Sequence, residues 1–214
     1  MEEIVVLLSD VNGVYDAVYS LGSNCYPAQR LERYGLRPYS GVIDWMYSNS
    51  TPGVSMLLRN RFAKFMHPDH FVVESIVFYH NYCVRDRVYH VQSVHDFLHS
   101  ARRRGIALKY PTFMETLQRR IHRFLTKAEH SKRLFFLRMN ASYEEAAELE
   151  AALASLVKHQ FSLLVVNPGS EYRVVDLNWP LANTCGLMLP IGWDEECDRV
   201  WNEVFAHIRY EAAK

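Results

Sequence analysis

The sequence predicts an α/β protein: a single domain over residues 1–214 with a mainly parallel sheet flanked by helices. Three observations carry that expectation. Residues 133–138 and 161–166 are continuous apolar runs, the pattern of strands buried on both faces. Between them, residues 142–158 form an Ala/Leu/Glu-rich amphipathic stretch, so the three segments read as a βαβ unit. Residues 17–21 make a further strand-like run that breaks at Gly22 and delivers Cys25 to a helix start. The 214 residues suit one domain with a sizeable core, and the chain shows no repeat, low-complexity tract or linker.

From the start of the chain, residues 4–8 are a short apolar run, and Asp10 to Gly13 reads as a turn. After Cys25, Pro27 suits a first helical turn. Ala28, Leu31 and Tyr34 share one face, and Gly35 marks a stop. Arg37 to Gly41 is a loop ahead of the mostly apolar residues 42–46. Thr51 and Pro52 read as N-cap and first residue of a helix whose apolar face holds Val54, Leu57 and Leu58. Residues 71–82 hold a strand and residues 87–97 are extended. Phe113, Leu117, Ile121, Phe124 and Leu125 fall at helical spacing, predicting a helix over 112–128. Ser142 and Glu145 form a capping box. The segment 193–210, with Val200, Trp201, Val204 and Ile208 on one face, predicts a terminal helix.

The totals exclude some functions. Twenty-four basic residues balance 24 acidic ones, which argues against a generic nucleic-acid binder. Arg102 to Arg104, with Arg119, Arg120 and Arg123, read as a solvated face or helix-end charges. No apolar run reaches the roughly 20 residues needed to cross a bilayer. The acidic opening Met1-Glu2-Glu3 lacks an export signal, so the expected address is cytoplasmic and the four cysteines are expected to be reduced. His67 and His70 are three apart, but no zinc pattern accompanies them. Phosphate-loop and dinucleotide fingerprints are absent as well, so neither metal nor cofactor is expected.

The chemistry concentrates at Gly22-Ser23-Asn24-Cys25. A cysteine at a helix N-terminus meets unpaired N–H groups and a partial positive charge, both of which favour the thiolate. This turn lies at the carboxyl end of a strand, where open α/β sheets bind ligands. The amides of Ser23 to Cys25 could stabilise an oxyanion. A cysteine nucleophile needs a base, and of the ten histidines His95 stands out for its neighbour Asp96. Asp44, between Ile43 and Trp45, should be buried and paired or aimed into a cleft, so either Asp44 or Asp96 is expected to orient His95. Arg138, ending a buried strand, could clamp an anionic group.

These residues give the chain a resemblance. The block from Ser20 to Leu31, then Gly35 to Arg37 and Ile43-Asp44-Trp45, is similar to the opening of the DUF1796 family, bacterial proteins classed as papain-like cysteine peptidases. His95 to Phe97, Arg119, Arg120, Arg123, residues 134–138 and the aromatic positions Trp193, Trp201 and Phe205 extend the likeness over roughly residues 15–210. The resemblance implies Cys25 as nucleophile and His95 as its partner. In place of a papain block's oxyanion Gln and following Trp, this chain has Tyr19 and Tyr26. The expectation is a cysteine-dependent hydrolase or acyl-transferring enzyme, using a Cys/His pair, that acts on a peptide or small molecule. The alternative is a non-catalytic α/β module holding a small anionic or sugar-like ligand at the same edge, with Asn24, Asp44, Trp45 and Arg138 as contacts.

Overall fold

The computed structural model describes residues 4–78, 80–99 and 105–212. In chain order the elements begin with α1 (Leu8–Val11), β1 (Gly13–Tyr15), β2 (Ala17–Ser20), α2 (Tyr26–Arg33), β3 (Met46–Tyr47) and α3 (Thr51–Arg59). Next come β4 (Phe71–Val77), β5 (Asn81–Asp86), β6 (Val91–Ser93), α4 (Gly105–His130), β7 (Arg133–Met139) and α5 (Tyr143–Leu156). The chain closes with β8 (Gln160–Pro168), β9 (Val175–Asp176), β10 (Thr184–Leu189), α6 (Glu195–Phe205) and β11 (Ile208–Tyr210).

The central sheet has the order β2-β7-β8-β10-β9, with the first four strands parallel and β9 antiparallel at the edge. Its inner strands are mainly apolar because both faces are covered. Successive side chains point to opposite faces. Tyr19, Phe136, Leu163 and Val165 therefore join one core with α3, α4 and α5. Val18, Phe135, Leu137, Leu164 and Val166 join a second core with α2 and α6. The expected α/β architecture holds, as does the βαβ unit β7-α5-β8. Ser142 caps α5 by accepting from the Glu145 amide, and Glu145 reciprocates.

A second sheet, antiparallel with order β3-β6-β5-β4, stands apart from the first. Its turn from β5 to β6 is organised by the fully buried Asp86, whose carboxylate accepts from the amides of Met66, Val88 and Tyr89. Residues 71–82 are thus the two arms of a hairpin rather than one strand. Of the extended segment 87–97, only Val91–Ser93 pairs.

Several boundaries move for physical reasons. Ser50, not Thr51, caps α3 through Gly53 N, because Thr51 Oγ1 is engaged with Arg138 and Asn140. Helix α4 starts seven residues before Thr112 and carries Pro111 inside it. The predicted terminal helix stops at Phe205. Its last residues instead form β11, which pairs in parallel with β1 and ties the two chain ends together. Residues 8–11 make one helical turn where a run and a turn were expected. Strand β10 had no counterpart in the periodicity. Gly186 interrupts its apolar run where the Trp179 ring leaves no room for a Cβ. No helix among the described residues is long and apolar enough to cross a membrane. Arg102 to Arg104 lie outside the described residues.

Candidate active site

Cys25 stands between β2 and α2, on the edge where the parallel strands end. Backbone bonds pin this turn to β7 and to β3's exit: Leu21 N donates to Leu137 O at 2.8 Å, Met139 N to Gly22 O at 2.8 Å, and Ser48 N to Ser23 O at 2.6 Å. Gly22 has φ +86°, and any Cβ there would overlap Ser48 Oγ, so glycine is required. Asn24 Oδ1 accepts from Tyr26 N at 2.8 Å and so caps the first turn of α2, which leaves the Cys25 thiol free of capping. Helix α2 is held from its other end by buried Arg30, which pairs with Asp198 at 2.5 Å and lies 4.3 Å over the Trp193 ring.

The segment after β6 brings His95 from 70 residues away, with Nε2 at 3.6 Å from Cys25 Sγ. That distance is a sulfur–nitrogen hydrogen bond. Phe78, at the tip of the β4–β5 hairpin, stacks on the imidazole with centroids 5.4 Å apart and planes 8° from parallel. Nothing in the sequence pattern points to Phe78, since stacking across a hairpin tip leaves no periodic signal.

The carboxylates do not take their expected places. Asp96 turns away from His95 and accepts from Ser93 Oγ at 2.6 Å. Asp44 Oδ2 accepts from Arg37 Nε at 2.8 Å and from Gly41 N at 2.6 Å, and its Oδ1 is buried without a partner. Among the described residues no carboxylate hydrogen-bonds the imidazole. The local reason for Asp44 is its tight turn with Gly41, which directs the side chain back onto its own loop. Asp96 is held by Ser93, three residues before it.

Arg138 is also placed differently from expectation. It is fully buried beneath the Cys25 turn, with no surface for a ligand. Its guanidinium donates to Leu21 O and Ser48 O, each at 2.7 Å, to Thr51 Oγ1 at 3.0 Å and to Ser48 Oγ at 3.2 Å. Ser23 is buried, its hydroxyl meeting Asn140 Nδ2 at 3.2 Å, while Trp45 is half-buried beneath the Arg37 guanidinium at 5.1 Å. With Arg138 and Asp44 engaged internally and Asn24 capping α2, the polar contacts named for a ligand-binding module are largely occupied. The amides of Ser23, Asn24 and Cys25 donate to no acceptor among the described residues.

The thiol's environment reverses the simple expectation for a helix N-terminus. Burial pushes the Cys25 pKa up, the Asp44 carboxylate pushes it further, and the residue's own amide pulls it partly back. These influences favour the protonated thiol over the reactive thiolate. Asp44→Asn removes one of the two upward influences. The pH profile of Cys25 alkylation should then shift to lower pH, read by mass spectrometry of the labelled peptide. An unmoved profile would show that Asp44 does not act on the thiol.

All four cysteines are free, and Cys25 alone among them is not buried. No cluster of three or more His, Cys, Asp or Glu suited to a metal occurs among the described residues. His67 instead faces Asp69 at 3.3 Å.

Two helical layers around a mainly parallel sheet, with a thiol and an imidazole in contact at its carboxyl edge, define an α/β protein with a candidate cysteine–histidine site. The chain belongs to the DUF1796 family, whose model, described as "Putative papain-like cysteine peptidase (DUF1796)", matches residues 16–169. That match covers Cys25, Asp44, His95 and Arg138 and ends before the aromatic positions 193–205. Comparisons with curated proteins and with solved structures returned no match.

Proposed function

We propose that the protein is a cysteine hydrolase of peptide or other acyl bonds, with Cys25 as nucleophile and His95 as general base. The observation that carries this reading is the 3.6 Å contact between Sγ and Nε2 at the sheet's carboxyl edge. His95 takes the thiol proton as sulfur bonds the acyl carbon. The amides of Ser23, Asn24 and Cys25 donate to the developing oxyanion. The proton then passes from His95 to the leaving amine or alcohol, and a thioester remains. Water, deprotonated by His95, attacks the thioester, releasing the acid and restoring the thiol. Phe78 packs on the face of the imidazole and no carboxylate hydrogen-bonds the ring among the described residues, so the reading is of a dyad.

An activated acyl ester tests this directly. Intact-mass analysis during turnover of a p-nitrophenyl ester should detect one acyl adduct, mapped to Cys25 and absent from Cys25→Ala. No adduct, or one that persists in Cys25→Ala, would overturn the reading.

A further inference from the structure

Helix α4 turns an unusual face toward the His95 segment. Lys109, Thr112, Thr116 and Arg120 recur at spacings of three and four, so they share one stripe of the helix with Phe113 and Leu117. A stripe packed against a protein core would be apolar throughout. Here it lines, together with Asp96, a cavity of about 210 Å³. Phe113 and Leu117, both buried, form the apolar part of the wall.

Arg120 is half-buried rather than on the solvated face expected of it, and burial is the largest influence acting against its charge. Asp96 and Asp44 are its nearest electrostatic support, yet neither bonds to it. Asp96 is held by Ser93 and Asp44 by Arg37 and Gly41. Among the described residues the guanidinium makes no hydrogen bond, and it lines the cavity. Lys109 and Arg120 against Asp96 leave one net positive charge on the lining. A single carboxylate matches that balance, whereas a doubly charged phosphate would also confront Asp96. The Thr112 and Thr116 hydroxyls add donors, and the apolar wall suits a short methylene stem.

We propose that this cavity is the subsite for a carboxylate group of the molecule that Cys25 attacks, either an acidic side chain or the free carboxyl end of a peptide. Asp96 lines the cavity and is the chain neighbour of His95, which places the cavity beside the His95 segment. The link to catalysis rests on the reading of Cys25 as a nucleophile. The binding itself does not.

The test uses the full chain carrying Cys25→Ala, which binds without turnover, and calorimetry with three ligands. N-acetylglutamic acid α-amide carries only a side-chain carboxylate, N-acetylglutamine only a terminal one, and N-acetylglutamine amide neither. One of the acids should bind about tenfold more tightly than the neutral amide, consistent with one charge-assisted contact. Which acid does so identifies the source of the carboxylate. Arg120→Gln, added to Cys25→Ala, should erase the preference with the unfolding temperature kept. Asp96→Asn should enlarge it, an effect of opposite sign that an unfolded variant cannot imitate. Equal binding of all three ligands, or a preference indifferent to both substitutions, would overturn the proposal. If the preference is present but wild type forms no acyl adduct, the nucleophile reading fails and the subsite stands. The converse result sinks the subsite alone.

Discussion

Cys25→Ala should leave the protein folded and remove essentially all of its alkylation by iodoacetamide under native conditions. The four thiols differ in access: Cys83 and Cys185 are buried in the sheets and Cys197 on the inner face of α6, while Cys25 is half-exposed beside an imidazole. The substitution deletes one sulfur whose hydrogen-bond partner among the described residues is His95, so little packing is lost. His95→Ala should slow Cys25 labelling about 100-fold near neutral pH, the scale of general-base assistance. The sign follows from the raised thiol pKa: at neutral pH the sulfur is protonated and needs a base. The difference should close at alkaline pH, where the thiol ionises unaided. Peptide mapping after timed labelling reads both effects. Labelling spread evenly over the four cysteines, or equal rates in His95→Ala at neutral pH, would remove the dyad.

Arg138→Met should destabilise the fold by about 3–5 kcal/mol, a large part of the roughly 5–15 kcal/mol that holds a domain together. Methionine fills similar space but donates nothing. Leu21 O and Ser48 O would then be buried acceptors without their donor, at about 1–3 kcal/mol each, and the Thr51 and Ser48 hydroxyls lose an acceptor role as well. Burial lowers the Arg138 pKa to about 10, which still leaves it charged at neutral pH. Because the guanidinium bridges the ends of β2 and β3 through several donors at once, Arg138→Lys should recover only part of the loss: a point ammonium lacks that fork. Urea denaturation measures both variants. A loss below about 1 kcal/mol for Arg138→Met would show that the bridge contributes little to the fold. Since the Cys25 turn rests on Leu21 O and Ser48, the same variant should also slow Cys25 alkylation where it remains folded.

The parts of this fold that were legible in the sequence are the ones written in local pattern. The central residues of β7 and β8, Leu134–Leu137 and Leu163–Val166, are apolar because each side chain meets one of two cores, and that leaves a continuous run. The capping box at Ser142 and Glu145 lies within four residues, so it can be read without knowing what α5 packs on. Strand β11 was unreadable for the opposite reason: Ile208 to Tyr210 continue a helical periodicity, and only pairing with β1 makes them extended. Arg120 and Arg123 looked like surface charge, but Arg123 stacks 5.0 Å over the Tyr39 ring and Arg120 lines a cavity.

At the site, the sequence by itself determined the position of Cys25. A strand, a glycine forced to positive φ and a helix start follow one another within a dozen residues, and each is a local backbone requirement. It also marked Asp44 and Arg138 as polar groups in apolar surroundings, each needing a partner, and Asp96 as the carboxylate beside His95. Only the tertiary structure decided which partners. It set His95 against the thiol across 70 residues and stacked Phe78 on the ring. It tied both carboxylates to their own loops and buried Arg138 as a brace under the turn. The physical reason is that burial and backbone preference are properties of a segment, whereas a hydrogen bond between distant side chains depends on how separate segments are packed. The reactivity of the thiol belongs to that second kind: the helix end argues for a lowered pKa, and the burial and neighbouring carboxylate that packing brings raise it.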